Sequence, residues 1–433
     1  MERERFSSKI GFFLSAIGFA IGIGSLWRFP YLVGMYGGGI FVLFYILIIF
    51  GIAIPLFVLE MALGSASQKS PVGAYRELGR GKPWILNGYL NVFAMQLLLG
   101  YTMPVAGWVM AYIFKTGMGT FQAMAPAEIG EYFGAFIGNG PEVIAWSSIT
   151  VILVVLIINR GLNKGLEFAN SVCMPALFII LTILIVRAVT LPGAAEGLAY
   201  YLKPDFSKFT ANAIYDCIGQ AFFAIGVGMA AAIVFGSYLK KEQKNLLTQG
   251  IHIGTALLLA GFLSGLVIMP AVFAFGLEPA GGPGLTFVTM PNVFNQMPFG
   301  TFFGVLFYIL FYLAALSSWL GGAEAVAASY MEEFGLSRKK AVYLTAAVMF
   351  AIGCAASYSM GFFDIADNIL NNSLIIGGLV LSIFVGWSWG MDKFFEEAGI
   401  ASPGVKAVFT VIVKYAAPAV IIILGLSMHG VFG

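Results

Sequence analysis

Uncharged stretches dominate this chain, at 10–27, 29–59, 83–114, 143–159, 168–186, 217–239, 245–277, 279–323, 341–363, 368–391 and 415–433. A helix crosses the hydrocarbon of a bilayer in roughly 20 residues, whereas a barrel strand takes about 10 of alternating polarity. Nothing here alternates. With turn and capping residues at the edges, the pattern predicts eleven spans, near 10–35, 38–64, 84–114, 143–160, 165–188, 211–239, 245–274, 301–330, 341–358, 368–391 and 407–431. The fold class is all-α integral membrane.

Composition agrees. Of 433 residues, 60% are hydrophobic and 10% charged, and the mean hydropathy is +0.91. A soluble domain carries about 25% charge. A net charge of +2 spread over the chain excludes the concentrated basic face that nucleic acid requires. Cys173, Cys217 and Cys354 form no CxxC pair, and His252 and His429 cannot build a metal cage. HExxH, GxSxG and paired-aspartate constellations are absent, which argues against an enzyme, and nothing calls for an organic cofactor. The charged segment Met1–Lys9 precedes a glycine-broken apolar run without a small-residue cleavage site, so that run reads as a retained first helix.

Lysine and arginine in short loops set the orientation. Arg3, Arg5 and Lys9, then Lys69, Arg76, Arg80 and Lys82, then Arg160 and Lys164, all fall on one side of an eleven-span path. So do Lys240, Lys241 and Lys244, then Arg338, Lys339 and Lys340, then Lys393 and Lys406. On the other side, 116–142 and 278–300 hold no cation, and Lys203 and Lys208 are the exceptions. The pattern predicts a multi-pass protein of the cell (plasma or inner) membrane, with a cytoplasmic N-terminus and an extracytoplasmic C-terminus.

Two spans carry the same interruption. Span 1 reads Ile17-Gly-Phe-Ala-Ile21-Gly-Ile-Gly24, and span 6 reads Ile218-Gly-Gln-Ala-Phe-Phe-Ala-Ile225-Gly-Val-Gly228. Each glycine costs a helix roughly 1 kcal/mol relative to alanine, and lipid cannot satisfy freed backbone groups. Such breaks are tolerated where backbone lines a cavity, although close packing through small residues would use the same glycines. Matched breaks five spans apart imply an odd-numbered repeat whose second copy is inserted upside down, with the site between the copies. The repeats are expected at 10–188 and 211–391 of a single membrane domain, with the eleventh span, 407–431, outside them.

Ser8-Lys-Ile-Gly-Phe12, Gly22-Ile-Gly-Ser-Leu-Trp-Arg-Phe-Pro-Tyr31, Gly37-Gly-Gly39, Pro55–Glu60, Gly219-Gln-Ala-Phe-Phe223 and Leu336-Ser-Arg-Lys339 carry a resemblance along nearly the whole chain. It resembles the neurotransmitter:sodium symporters, in the eleven-span prokaryotic branch that carries amino acids. The resemblance implies a sodium-coupled symporter working by alternating access, with an inverted five-plus-five helix repeat.

It also implies site residues. One sodium site would use carbonyls of Gly18, Ile21 and Ala314 with the hydroxyls of Ser317 and Ser318, an all-oxygen shell that suits a hard cation. Read without the resemblance, the serines are small packing residues. The family's other sodium site is reduced here to Ala20, Ser25, Ala224 and Ala256 (or Thr255 if the register slips by one), without its usual side-chain oxygens. The expectation is about one sodium ion per substrate. Substrate would meet Phe19, Ala20, Gly22, Ile23, Gly24, Leu98, Thr102, Phe223, Ala224, Gly226, Met229 and Trp319. Thr102 stands where the family usually has a tyrosine, with Tyr101 about 100° around the helix. Gly22 occupies the position where amine carriers have an aspartate, which favours a small amino acid or related zwitterion over an amine or quaternary ammonium compound.

Arg28 would close the outer side against Asp367, with Phe223 as a lid, and Arg3 would meet Glu332 near Tyr238 on the inner side. Glu60 and Glu324 would bond broken backbone, and His252 would be satisfied inside the bundle. A cation channel is the rival of a different class, but it would need a polar pore or carboxylate ring that the scattered acids do not provide. Partners beyond the small solute and the lipid bilayer are not indicated.

Overall fold

The computed structural model describes residues 4–80, 83–240, 245–279 and 281–430. Among these, nine continuous helices are long and apolar enough to cross a membrane. They are Gly39–Ser67 (span 2), Ile85–Gly117 (span 3), Gly140–Ile158 (span 4), Leu162–Val189 (span 5) and Leu246–Ala274 (span 7). Gly300–Phe334 (span 8), Arg338–Tyr358 (span 9), Met360–Trp389 (span 10) and Pro403–Met428 (span 11) follow. Two interrupted helices complete the set. Span 1 is Lys9–Ala20 plus Ile23–Met35, bent by 56°, and span 6 is Ala211–Ile225 plus Ala231–Ser237.

Each break has a local cause. The Gly22 N–H, which would reach Gly18 in a continuous helix, bonds the Ala20 carbonyl at 3.0 Å. Gly226 and Gly228 take φ of +75° and +81°, a region open to residues without a Cβ, and Ala230 follows at +63°. The Glu60 carboxylate accepts the freed Gly228 N–H at 2.9 Å, so a backbone donor that lipid could not satisfy is satisfied from span 2.

Burial sorts the helices. The apolar windows of spans 3 and 8 are 78% and 67% buried, whereas those of spans 4 and 5 are 33% and that of span 11 is 28%. Spans 3 and 8 are central, and the outer helices turn Ile152, Leu156, Ile179, Val408 and Val411 outward as a lipid-facing surface. Spans 2 and 6 touch backbone to backbone. A Cβ on Gly64 would lie 1.8 Å from the Ile233 carbonyl oxygen, and one on Gly236 would lie 2.2 Å from that of Met61. Glycine at both positions locks the second half of span 6 onto span 2.

Two expectations need correction. Span 10 starts at Met360, not 368, because Asp364 and Asp367 ride on its first turns and do not end it. Short helices at Pro71–Leu78, Pro126–Gly138, Ala194–Leu202, Met290–Gln296 and Met391–Ala398 cap the bundle between spans. His252 lies exposed on the outside of span 7, edge-on to Phe13 at 6.3 Å, and is not within the bundle.

Candidate functional site

A cavity of about 680 Å³ opens between the two breaks. It gathers all the residues expected to contact substrate. Phe19, Ala20, Gly22, Ile23 and Gly24 come from span 1, Leu98 and Thr102 from span 3, Phe223, Ala224, Gly226 and Met229 from span 6, and Trp319 from span 8. The break puts the first amides of Ile23–Met35 at the cavity, and the leading N–H groups of any helix lack intrahelical partners and favour an anion. Phe223 lies over that end: a Cβ on Gly24 would come within 3.0 Å of its ring. Phe19 closes on Gly226 from the opposite side, where a Cβ would be 2.7 Å from its ring. The walls are aromatic and aliphatic. The only lining carboxylates among the described residues, Asp216 and Asp367, belong to its mouth.

Behind the cavity, span 1 meets the serine pair of span 8. Ser317 is fully buried and its hydroxyl donates to the Ala314 carbonyl at 3.0 Å. Ser317 Cβ is 3.3 Å from a Cβ built on Gly18, and Ser318 Oγ is 3.4 Å from one built on Gly22. The carbonyls of Gly18 and Ile21 end the first half-helix beside them, where the helix carries partial negative charge. This corner collects neutral oxygens from the backbone and two hydroxyls, a donor set for a hard monovalent cation.

The second expected ion position is poor in side-chain oxygens. Ala20, Ser25 and Ala224 do line the cavity, but Ala256 does not reach it. Span 7 approaches span 1 through Gly261, where a Cβ would lie 3.2 Å from the Ser25 carbonyl, and through Ser264, whose hydroxyl donates to the Leu26 carbonyl at 3.0 Å. Ala256 is five residues earlier, about 140° around the helix from Gly261. Neither Gly261 nor Ala256 brings a side-chain oxygen.

Charges line the mouth of the cavity differently from the expectation. Arg28 Nη2 is 3.6 Å from Asp216 Oδ1, and Asp216 also accepts the Tyr36 hydroxyl at 2.5 Å. Asp367 instead accepts the Tyr101 hydroxyl at 2.7 Å and the Asn371 amide at 3.0 Å. The early start of span 10 places Asp367 two turns inside the helix, where these neutral donors take its oxygens. Tyr101 thus lines the cavity beside Thr102, and Thr102 turns its hydroxyl back to the Leu98 carbonyl at 2.6 Å.

On the side expected to be cytoplasmic, Arg3 lies outside the described residues, as do Lys82, Lys241 and Lys244. Glu332 accepts the Ser70 N–H at 2.8 Å. Tyr238 donates to Glu324 at 2.6 Å, and Glu324, fully buried, is held by both Arg338 nitrogens at 2.8 and 3.0 Å. Glu324 therefore belongs to an ion-pair network and does not bond broken backbone. Arg338 also reaches Glu4 at 3.1 Å, and Glu167 accepts Ser7 through N–H at 3.0 Å and hydroxyl at 2.5 Å. These contacts tie the N-terminal segment to the starts of spans 5 and 9. An acid inside an apolar span was the available sign for Glu324; nothing in the sequence paired it with Arg338.

A family model described as the sodium:neurotransmitter symporter family matches residues 3–124 and 139–431. An uncharacterized sodium-dependent transporter of Bacillus subtilis, YhdH, is 34% identical over 442 residues, covering 99% of this chain and 98% of the relative. One of Haemophilus influenzae, also uncharacterized, is 32% identical over 449 residues, with 98% of each covered. The crystal structure of MhsT in complex with L-phenylalanine superposes with a TM-score of 0.89 at 34% identity, over 98% of this chain and 99% of that one.

Proposed function

Since the chain belongs to the sodium:neurotransmitter symporter family, and is a sodium-coupled symporter of the inverted-repeat fold and not an enzyme, we propose that it imports a small amino acid with an apolar side chain. One sodium ion accompanies each substrate. The carrying observation is the cavity at the two breaks, with helix N-terminal amides on one side, aromatic and aliphatic walls, and no carboxylate among the described lining residues below the mouth. A substrate carboxylate fits the amides. A lone amine would find no counter-ion there. The complex of MhsT with L-phenylalanine supports the same class of cargo.

The sodium ion sits between Gly18, Ile21, Ala314, Ser317 and Ser318 and steadies the first break. The repeats at 10–188 and 211–391 supply the elements that rock around the site, with the N-terminus cytoplasmic as the cation-rich loops require. Arg28, Asp367 and Phe223 close the outer side. Glu324, Arg338, Tyr238 and Glu332 close the inner one. Uptake of labelled phenylalanine and other zwitterions into proteoliposomes tests the reading. Saturable accumulation driven by an inward sodium gradient supports it. A flux that does not saturate, or one that proceeds equally well in choline, sinks it.

A further inference from the structure

Gly18 faces a side chain that the transport cycle outlined above does not use. Asn170, on span 5, is fully buried. Its amide nitrogen donates to the Leu166 carbonyl at 3.1 Å. A carbonyl can only accept, so this bond fixes which end of the amide is nitrogen and turns Oδ1 the opposite way. That oxygen is buried and has no hydrogen-bond partner among the described residues. It is aimed at span 1: a Cβ built on Gly18 would lie 2.4 Å from it, and the same point is 3.3 Å from Ser317 Cβ. The oxygen occupies the space that a side chain at position 18 would need, in the corner where Gly18 and Ser317 meet.

A buried acceptor left without a partner is costly, because it has given up water and gained nothing in return. The nearby hydroxyl does not relieve it, because Ser317 donates to Ala314. A hard cation would. Such ions take about six oxygens, neutral carbonyls included, and Gly18, Ile21, Ala314, Ser317 and Ser318 account for five. We propose that Asn170 Oδ1 supplies the sixth oxygen of the sodium site, so that the ion is held by spans 1, 5 and 8 together. This rests on the sodium position given under the proposed function. It also explains why position 18 is glycine: a methyl group there would displace the ligand.

The test is sodium binding to the purified full-length chain without substrate. The protein is titrated with sodium chloride against choline chloride at constant ionic strength, with thermal stabilisation as the readout and Ser317→Ala as the reference. Asn170→Ala should raise the half-saturating sodium concentration by about tenfold or more, the usual effect of losing a group that supports a bound metal. Asn170→Asp keeps the volume and the oxygen, gives up only a bond to a helix carbonyl, and should lower that concentration. This variant also decides the matter if the alanine variant does not fold. Sodium binding within about twofold of the parent in Asn170→Ala, or no tightening in Asn170→Asp, while Ser317→Ala shifts as expected, overturns the assignment of Asn170 alone. If Ser317→Ala does not shift either, the sodium position itself is wrong and the inference falls with it.

Discussion

Arg28 meets Asp216 at 3.6 Å across the mouth of the cavity, while Asp367, lining the same mouth, is taken up by Tyr101 and Asn371. Two carboxylates therefore line the mouth, and only Asp216 meets the guanidinium. Both members of the observed pair are part-exposed, so water still carries much of their charge. Closing the mouth removes that water, and an unpaired charge there would cost several kcal/mol. Asp367 holds its place through neutral donors, which can be exchanged for a cation as the mouth narrows. Arg28→Gln and Asp367→Asn are each expected to lose uptake while substrate still binds from outside. Normal transport by Arg28→Gln would show that closure does not use this charge.

Ser317→Ala combined with Ser318→Ala is expected to abolish sodium-dependent uptake in a protein that still folds. Ser317 lies against Gly18 through its Cβ and Ser318 against Gly22 through its hydroxyl oxygen, and replacing both removes two hydroxyl oxygens from the ion's shell. Thermal melting checks the fold, and the sodium dependence of uptake in proteoliposomes checks the site. An unchanged half-saturating sodium concentration in the double variant would remove the ion from this corner.

Glu324 is fully buried and bound by Arg338 and Tyr238. Removing one partner of a buried pair leaves the other charge uncompensated, at about 3–5 kcal/mol. Arg338→Gln and Glu324→Gln should each lower the melting temperature strongly, and the double variant should recover part of the loss. A double-mutant cycle reads the coupling directly. Additive losses would mean that the pair does not act as a unit.

The spans and their two breaks were legible because lipid enforces them: length, lack of charge and freed backbone all leave marks in a single sequence. The cavity followed from the breaks, since residues flanking Gly22 and Gly226 must line whatever lies between them. Partners across helices were less legible. Nothing in the sequence tells Arg28 to choose Asp216 over Asp367, because that choice depends on where span 10 begins and on the hydroxyl of Tyr101. The contact of Gly261 with the Ser25 carbonyl left no mark for a similar reason, because a glycine in an apolar span does not say which neighbour it meets. Asn170 left the weakest mark, one amide in a helix where its orphaned oxygen becomes visible only once Gly18 lies against it.

The cavity geometry sharpens the expectation of one sodium ion per substrate. At the poorer position, Ala20, Ala224 and Gly261 bring no side-chain oxygen, and Ser25 offers one hydroxyl. The opposite corner keeps Ser317 and Ser318. Carbonyls and a substrate carboxylate alone would dehydrate a second ion poorly. Each sodium entering down ~100 mV gains roughly 2.3 kcal/mol, and a tenfold gradient adds about 1.4 kcal/mol. One ion then sustains roughly 500-fold accumulation of a neutral substrate, and two ions the square of that. The same geometry implies that substrate is not needed to complete the sodium shell, so sodium should bind without it and with a Hill coefficient near one. Reversal potentials in proteoliposomes separate the cases for a zwitterion. A slope of one charge and one sodium per substrate is expected, and a two-sodium slope would mean that the cavity completes a second ion shell from backbone and substrate oxygens.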